Sequence, residues 1–119
     1  MASSNTKKFL VLYLAPPTVL DEWAKTDPET RKVAEEKMRV EWVRWMNAHT
    51  KMFISTDSGG KTKRVTSRGV SDTRNDIMLF SIVEATSHDD AAKSFESHPH
   101  LQIPQSSIEI MEIRPMAGM

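Results

Sequence analysis

IMLFSIVEA, residues 77–85, decides the fold. Successive side chains of a strand point to opposite faces of its sheet, so Ile77, Leu79 and Val83 share one side and Met78, Phe80 and Ile82 the other. Both sides are apolar. An antiparallel strand with one wet face alternates apolar with polar residues; this one asks to be covered twice. The same holds for KFLVLYLA at 8–15, a continuous run of β-formers stopped by Pro16 and Pro17. At the far end Ser107 to Ile113 places Ile108 and Ile110 on one face and Met111 and Ile113 on the other. Lys51 to Ser55 supplies a fourth strand, and residues 56–76 read as a long polar hairpin with a mobile tip. In that hairpin Gly59, Gly60 and Gly69 act as breakers, and KTKRVT at 61–66 can pair as an extension.

Two helices lie between these strands. Asp27 followed by Pro28 is a start signal, because the carboxylate accepts from an orphan amide while proline occupies the first helical position at no loss. The helix from Pro28 to Ala48 carries Ala34, Met38, Trp42, Trp45, Met46 and His49 at spacings of three and four, a stripe expected to lie on the sheet. Glu35 with Arg39 and Lys32 with Glu36 stand four apart as surface pairs, and Val33, Val40 and Val43 form a smaller apolar patch on the other side. Thr18 and Asp21 form a weak capping box for a short helical turn over 18–25. Ser87 and Asp90 form a second box, opening a helix with His88, Ala91, Ala92 and Phe95 on one side, ended by Pro99. The order is βαββαβ: an α+β chain with a four-stranded antiparallel sheet and two helices on one face. With no helix left for the other face, a second copy is the simplest cover, giving a homodimer through the sheet face.

The chain has 119 residues, one domain by size; residues 1–7 are expected as a disordered tail and 8–116 as the domain. Sixteen basic residues balance sixteen acidic ones, so no net field draws in nucleic acid or anionic lipid. There is no cysteine, hence no disulfide, thiol nucleophile or thiolate zinc site. The polar start and the short first apolar run point to no signal peptide, no membrane segment and a cytoplasmic address. GGKT at 59–62 has Ser55 where a phosphate-binding loop needs glycine, and no helix follows it, so no nucleotide cofactor is expected. The hairpin cations are not interleaved with aromatic residues, as single-strand stacking requires, so no nucleic-acid partner is expected either.

Candidate chemistry centres on His98, Pro99 and His100. An imidazole titrates near neutrality and serves as general base or metal ligand, and proline stiffens the turn that presents it. Two histidines one residue apart lack the third protein ligand of a catalytic metal, so no metal site is expected. The plainer reading is that His98 caps the last carbonyls of the second helix and His100 is exposed. Trp42 and Trp45 suit the wall of an apolar pocket between helix and sheet, although such residues serve equally as core. Tyr13 and Arg74 are candidates for orienting a ligand there.

The apolar FLVLYL run, IVEATSHDDAAKSFESHPH at 82–100 and SIEIMEIRPM at 107–116 together resemble the YCII-related family. The resemblance covers most of the chain and implies a ferredoxin-like fold and a dimeric α+β barrel. In that family the residue before the proline is commonly an acid, where this chain has His98. The family's proposed site pairs a histidine near the middle of the first helix with an aspartate. That histidine falls close to Arg39 here, and the aspartate has no clear counterpart. The D-G-P-F signature of a related subgroup is replaced by GVSDTRND at 69–76. Two functions follow. One is a protein that binds or acts on a small apolar or carbonyl-bearing molecule, His98 or His100 exchanging a proton. The other is a non-catalytic dimeric accessory or interaction module.

Overall fold

A computed structural model describes residues 5–117. Residues 1–4 of the expected tail lie outside the described residues, and the first strand, β1, already begins at Lys7 and runs to Leu14. Just before it, the Thr6 hydroxyl donates to Glu84 Oε2 at 2.8 Å. The chain continues through α1 (Pro17–Ala24), α2 (Pro28–His49), β2 (Phe53–Ser58), β3 (Thr62–Thr66), β4 (Gly69–Thr73), β5 (Ile77–Ala85), α3 (His88–Ser94) and β6 (Ser107–Glu112). Short 3-10 turns occupy Thr50–Met52 and Pro99–Gln102.

The main sheet has the order β2-β5-β1-β6 with every pair antiparallel. Setting aside the β3–β4 pair, this is second, third, first, fourth: the ferredoxin-like order. β5 and β1, the two doubly apolar strands, take the centre. Phe9, Val11, Tyr13, Ser81 and Val83 are buried on the helix-covered face. Leu10 opposite Ile82 and Leu12 opposite Phe80 lie on the other face, which no described element of the chain covers.

Asp27 caps α2 as its sequence indicates, accepting from the Thr30 amide at 3.1 Å. The stripe behind it divides in two. Trp45 is buried and Trp42 and Met46 are half-buried against the core, but Ala34 is exposed and Met38 only half-buried. A helix of 22 residues is about 33 Å long, and its first half is mostly exposed. There Trp23 of α1 donates its Nε1 hydrogen to Glu35 Oε2 at 3.0 Å. Glu35 is thereby taken from the expected Arg39 pair; Arg39 instead forks onto Glu36 at 2.6 and 3.1 Å. Val33, Val40 and Val43 remain exposed.

The Thr18–Asp21 box does not form; α1 starts on Pro16 without a side-chain cap. β2 begins two residues later than the expected Lys51. The Thr50 hydroxyl bonds back to Met46 O at 2.8 Å, and one more helical turn forms before the chain extends. Gly59 and Gly60 interrupt the hairpin, so β3 and β4 form a separate two-stranded arm. In α3 Ser87 caps as expected, accepting from the Asp90 amide at 3.0 Å. Ala91 and Phe95 are buried but Ala92 is exposed, and the helix ends at Ser94, before Pro99.

Candidate functional site

The expectation that His98 caps helix carbonyls and His100 meets solvent is overturned: they are 2% and 0% exposed. The turn Pro99–Gln102 tucks beneath the C-terminal half of α2 and places both rings against β1. His98 opens that turn as its cap, with Nδ1 accepting the His100 amide hydrogen at 3.0 Å. An Nδ1 that accepts carries no proton, so neutral His98 holds its hydrogen on Nε2. Among the described residues that Nε2 has no hydrogen-bond partner, although it is buried. His100 bonds the other way round: its Nε2 meets Leu14 O at 2.9 Å. A carbonyl only accepts, so Nε2 carries the hydrogen and Nδ1 is a lone pair, buried without a hydrogen-bond partner among the described residues.

Aromatic rings enclose the pair. The His98 ring lies 4.3 Å from Trp42, 4.4 Å from Trp45, 5.3 Å from Tyr13 and 5.8 Å from Phe95, centroid to centroid. His100 lies 5.7 Å from Tyr13 and 6.4 Å from Trp42. Burial holds the His98 pKa down at about 4, aided by repulsion from His100 and His49. Burial also lowers His100, against the pull of the nearby Leu14 and Ser107 backbone, of which only Leu14 O is hydrogen-bonded to the ring. The helix C-terminus, which favours a cation, does not prevail over removal from water. Both imidazoles are therefore neutral at pH 7: one presents a hydrogen, the other a lone pair.

Of the residues singled out in the sequence, His98, His100, Tyr13, Trp42 and Trp45 come together in this cluster. Arg74 does not join it. It stands exposed between β4 and β5, gripping Asp21 of α1 through two hydrogen bonds of 3.1 and 3.2 Å, and this guanidinium holds the Asp21 carboxyl below its usual range.

Three residues join the site that sequence reasoning had passed over. Ser81 Oγ sits between Tyr13 OH at 2.9 Å and Thr56 Oγ1 at 2.8 Å, a buried hydroxyl chain across the sheet. Burial raises the Tyr13 pKa, partly offset by the Ser81 bond. A lone serine inside IMLFSIVEA was the available signal. Glu41 accepts from Gln102 Nε2 at 2.7 Å, and its Oε1, like Trp45 Nε1, is buried without a partner among the described residues. Nothing in the α2 sequence distinguishes Glu41 from its solvated neighbours.

Two surface clefts lie elsewhere. One of about 640 Å³ opens between α1 and the β3–β4 arm, around Leu20, Lys61, Arg74 and Ile77; another of about 680 Å³ lies beside Lys8 and Arg114. Among the described residues no group of three or more His, Asp or Glu is placed to hold a metal, and no helix is long and apolar enough to cross a membrane.

No protein-family model matches the sequence, and no curated protein matches it. Among solved structures, the chain is similar to 5-chloro-2-hydroxyhydroquinone dehydrochlorinase (TftG) from Burkholderia phenoliruptrix AC1100, in complex with 2,5-dihydroxybenzoquinone. Identity is 15%, the match covers 93% of this chain and 95% of that one, and the TM-score is 0.50. The likeness is one of fold: an α+β chain with a four-stranded antiparallel sheet.

Proposed function

We propose that this protein is a YCII-like homodimer that binds, and acts by proton exchange on, a small oxygenated aromatic or carbonyl-bearing molecule between α2 and the sheet. The observation that carries the reading is the pair of buried neutral imidazoles whose free nitrogens are a donor and an acceptor. A buried polar atom without a partner costs about 1–3 kcal/mol, and a ligand carbonyl and hydroxyl would recover it. His98 Nε2–H would hold the carbonyl oxygen, while His100 Nδ1 would take the proton of the hydroxyl or of the adjacent carbon. Tyr13, Trp42 and Trp45 would form the walls, with half-buried Trp42 as the one that swings aside. The 2,5-dihydroxybenzoquinone held by the dehydrochlorinase of similar fold is of this chemical class. Arg74 has no part in this reading.

The test uses 2,5-dihydroxybenzoquinone as probe and tryptophan fluorescence as readout. Saturable quenching is expected. His98→Asn keeps an acceptor for the His100 amide while removing the Nε2 donor; His100→Gln keeps the donor to Leu14 O while removing the Nδ1 lone pair. Each is expected to weaken binding about tenfold or more, with the urea midpoint little changed. Both surface clefts open away from the histidines, which favours the second reading, a non-catalytic dimeric module with a filled core. Linear, unsaturable quenching that the two variants leave unaltered would decide for the module.

A further inference from the structure

Among the described residues, the β3–β4 arm packs only sparsely against the rest of its own chain, facing α1 across an open cleft. Its strands contact each other extensively and no other element of the fold to a comparable degree. An isolated two-stranded hairpin is marginal in water. The large apolar side chains of this one, Val65 and Val70, pair across the ribbon at 75% and 66% exposure. Between Lys61 and Arg74 stand five basic residues and one acidic, net +4, and since the whole chain balances, the remainder carries −4. Lys63 is matched by Asp72 at 2.6 Å and Arg74 by Asp21; Lys61, Arg64 and Arg68 make no ion pair among the described residues. The open sheet face has the complementary character. Its centre is Leu10, Leu12, Phe80 and Ile82, and its edges carry Asp57, opposite Phe80, and Glu109, opposite Leu12.

We propose that the β3–β4 arm clasps a second copy of the chain, setting Arg64 and Arg68 against the Asp57 and Glu109 rim of the partner's sheet. This rests on the homodimer proposed above and deepens it. Four strands about 4.8 Å apart, of 8, 6, 9 and 6 residues and so about 20–31 Å long, offer roughly 470 Å² in projection, a small footprint beside the roughly 800 Å² of accessible surface per partner of a stable interface. The arm supplies more. Its five-residue strands reach about 17 Å, and packed sheets lie about 10 Å apart, so the ribbon is long enough to bridge from one layer to the next.

Sedimentation velocity over a concentration series, on the full chain at low and high salt, tests it. The expected result is a dimer whose dissociation constant rises with salt and rises about tenfold or more in Arg64→Glu/Arg68→Glu. Adding Asp57→Lys/Glu109→Lys to that variant restores it, and Val65→Asp weakens the dimer at both salt concentrations. A dimer indifferent to all arm changes overturns the clasp alone, as does failure of the charge exchange to restore affinity. A monomer at every concentration overturns the sheet-face dimer with it. Arm-dependent binding of a DNA or RNA duplex, with dimer affinity unchanged, assigns the arm to nucleic acid and overturns the proposal.

Discussion

His98 and His100 stand two residues apart, yet they bond through opposite ring nitrogens, and that difference sets their chemistry. His98 does with Nδ1 what a carboxylate does before a proline: it caps the turn that follows. A carboxylate at this place and the imidazole found here would thus be physically equivalent as caps of the turn. They differ in what they leave over, because only the imidazole also presents an N–H. The difference shows in the pH dependence of stability. His98 is neutral in the fold down to about pH 4 but ionises near 6.5 once unfolded. Between those values the unfolded chain binds more protons, so stability is full above about pH 6.5 and falls as pH drops towards 4. The limit is about 3 kcal/mol for His98 alone, and His100 adds in the same direction. Urea midpoints should therefore fall from pH 7 to pH 4.5, and His98→Asn should flatten the slope. An equal slope in the variant would mean that carboxylates account for it.

At the scale of the element, α2 explains both what the sequence disclosed and what it hid. The spacing of Trp42, Trp45 and Met46 is legible as a packed face, but the same periodicity continues through Ala34 and Met38, in the half of the helix that is mostly exposed. Periodicity reports which residues share a face, not how far the opposing layer extends. The burial of the histidines was hidden for a related reason. HPH has no apolar pattern of its own; it is buried because the chain between α3 and β6 is drawn under Trp42 and Trp45 by long-range packing. The strands were easier, since alternation of apolar residues is local and Leu10, Leu12, Phe80 and Ile82 fall where it places them. The two tryptophans should separate in a truncation experiment. Trp45, 7% exposed between Phe53, Phe95 and His98, is expected to cost about 3–5 kcal/mol as Trp45→Ala. Half-buried Trp42 should cost about half of that in Trp42→Ala. Chemical denaturation measures both, and the reverse order would centre the packed face of α2 on Trp42 instead of Trp45.

The whole molecule is flat. Its extents are 49 × 45 × 20 Å, with a radius of gyration of 16.7 Å, where a compact chain of this length has about 13.5 Å. A thickness of 20 Å is one sheet and one layer of helices, since packed layers lie about 10 Å apart. The third layer of a filled sandwich is missing, and the side that lacks it is the one bearing Leu10, Leu12, Phe80 and Ile82. A second sheet related by a two-fold axis would complete it with the same residues from both copies. The consequence can be tested at Phe80, which lies on the open face. If a partner covers that face, Phe80→Asp puts a charge into an apolar interface, and dimer affinity should weaken by about two orders of magnitude or more. If water covers it, the same change should alter stability by less than about 1 kcal/mol and leave the mass unchanged. Light scattering with multi-angle detection distinguishes the two, and the far-ultraviolet circular dichroism of the variant shows that the fold persists. A wild-type chain that runs as a monomer at micromolar concentration would leave the apolar strip unexplained and would remove the basis for the paired-sheet barrel.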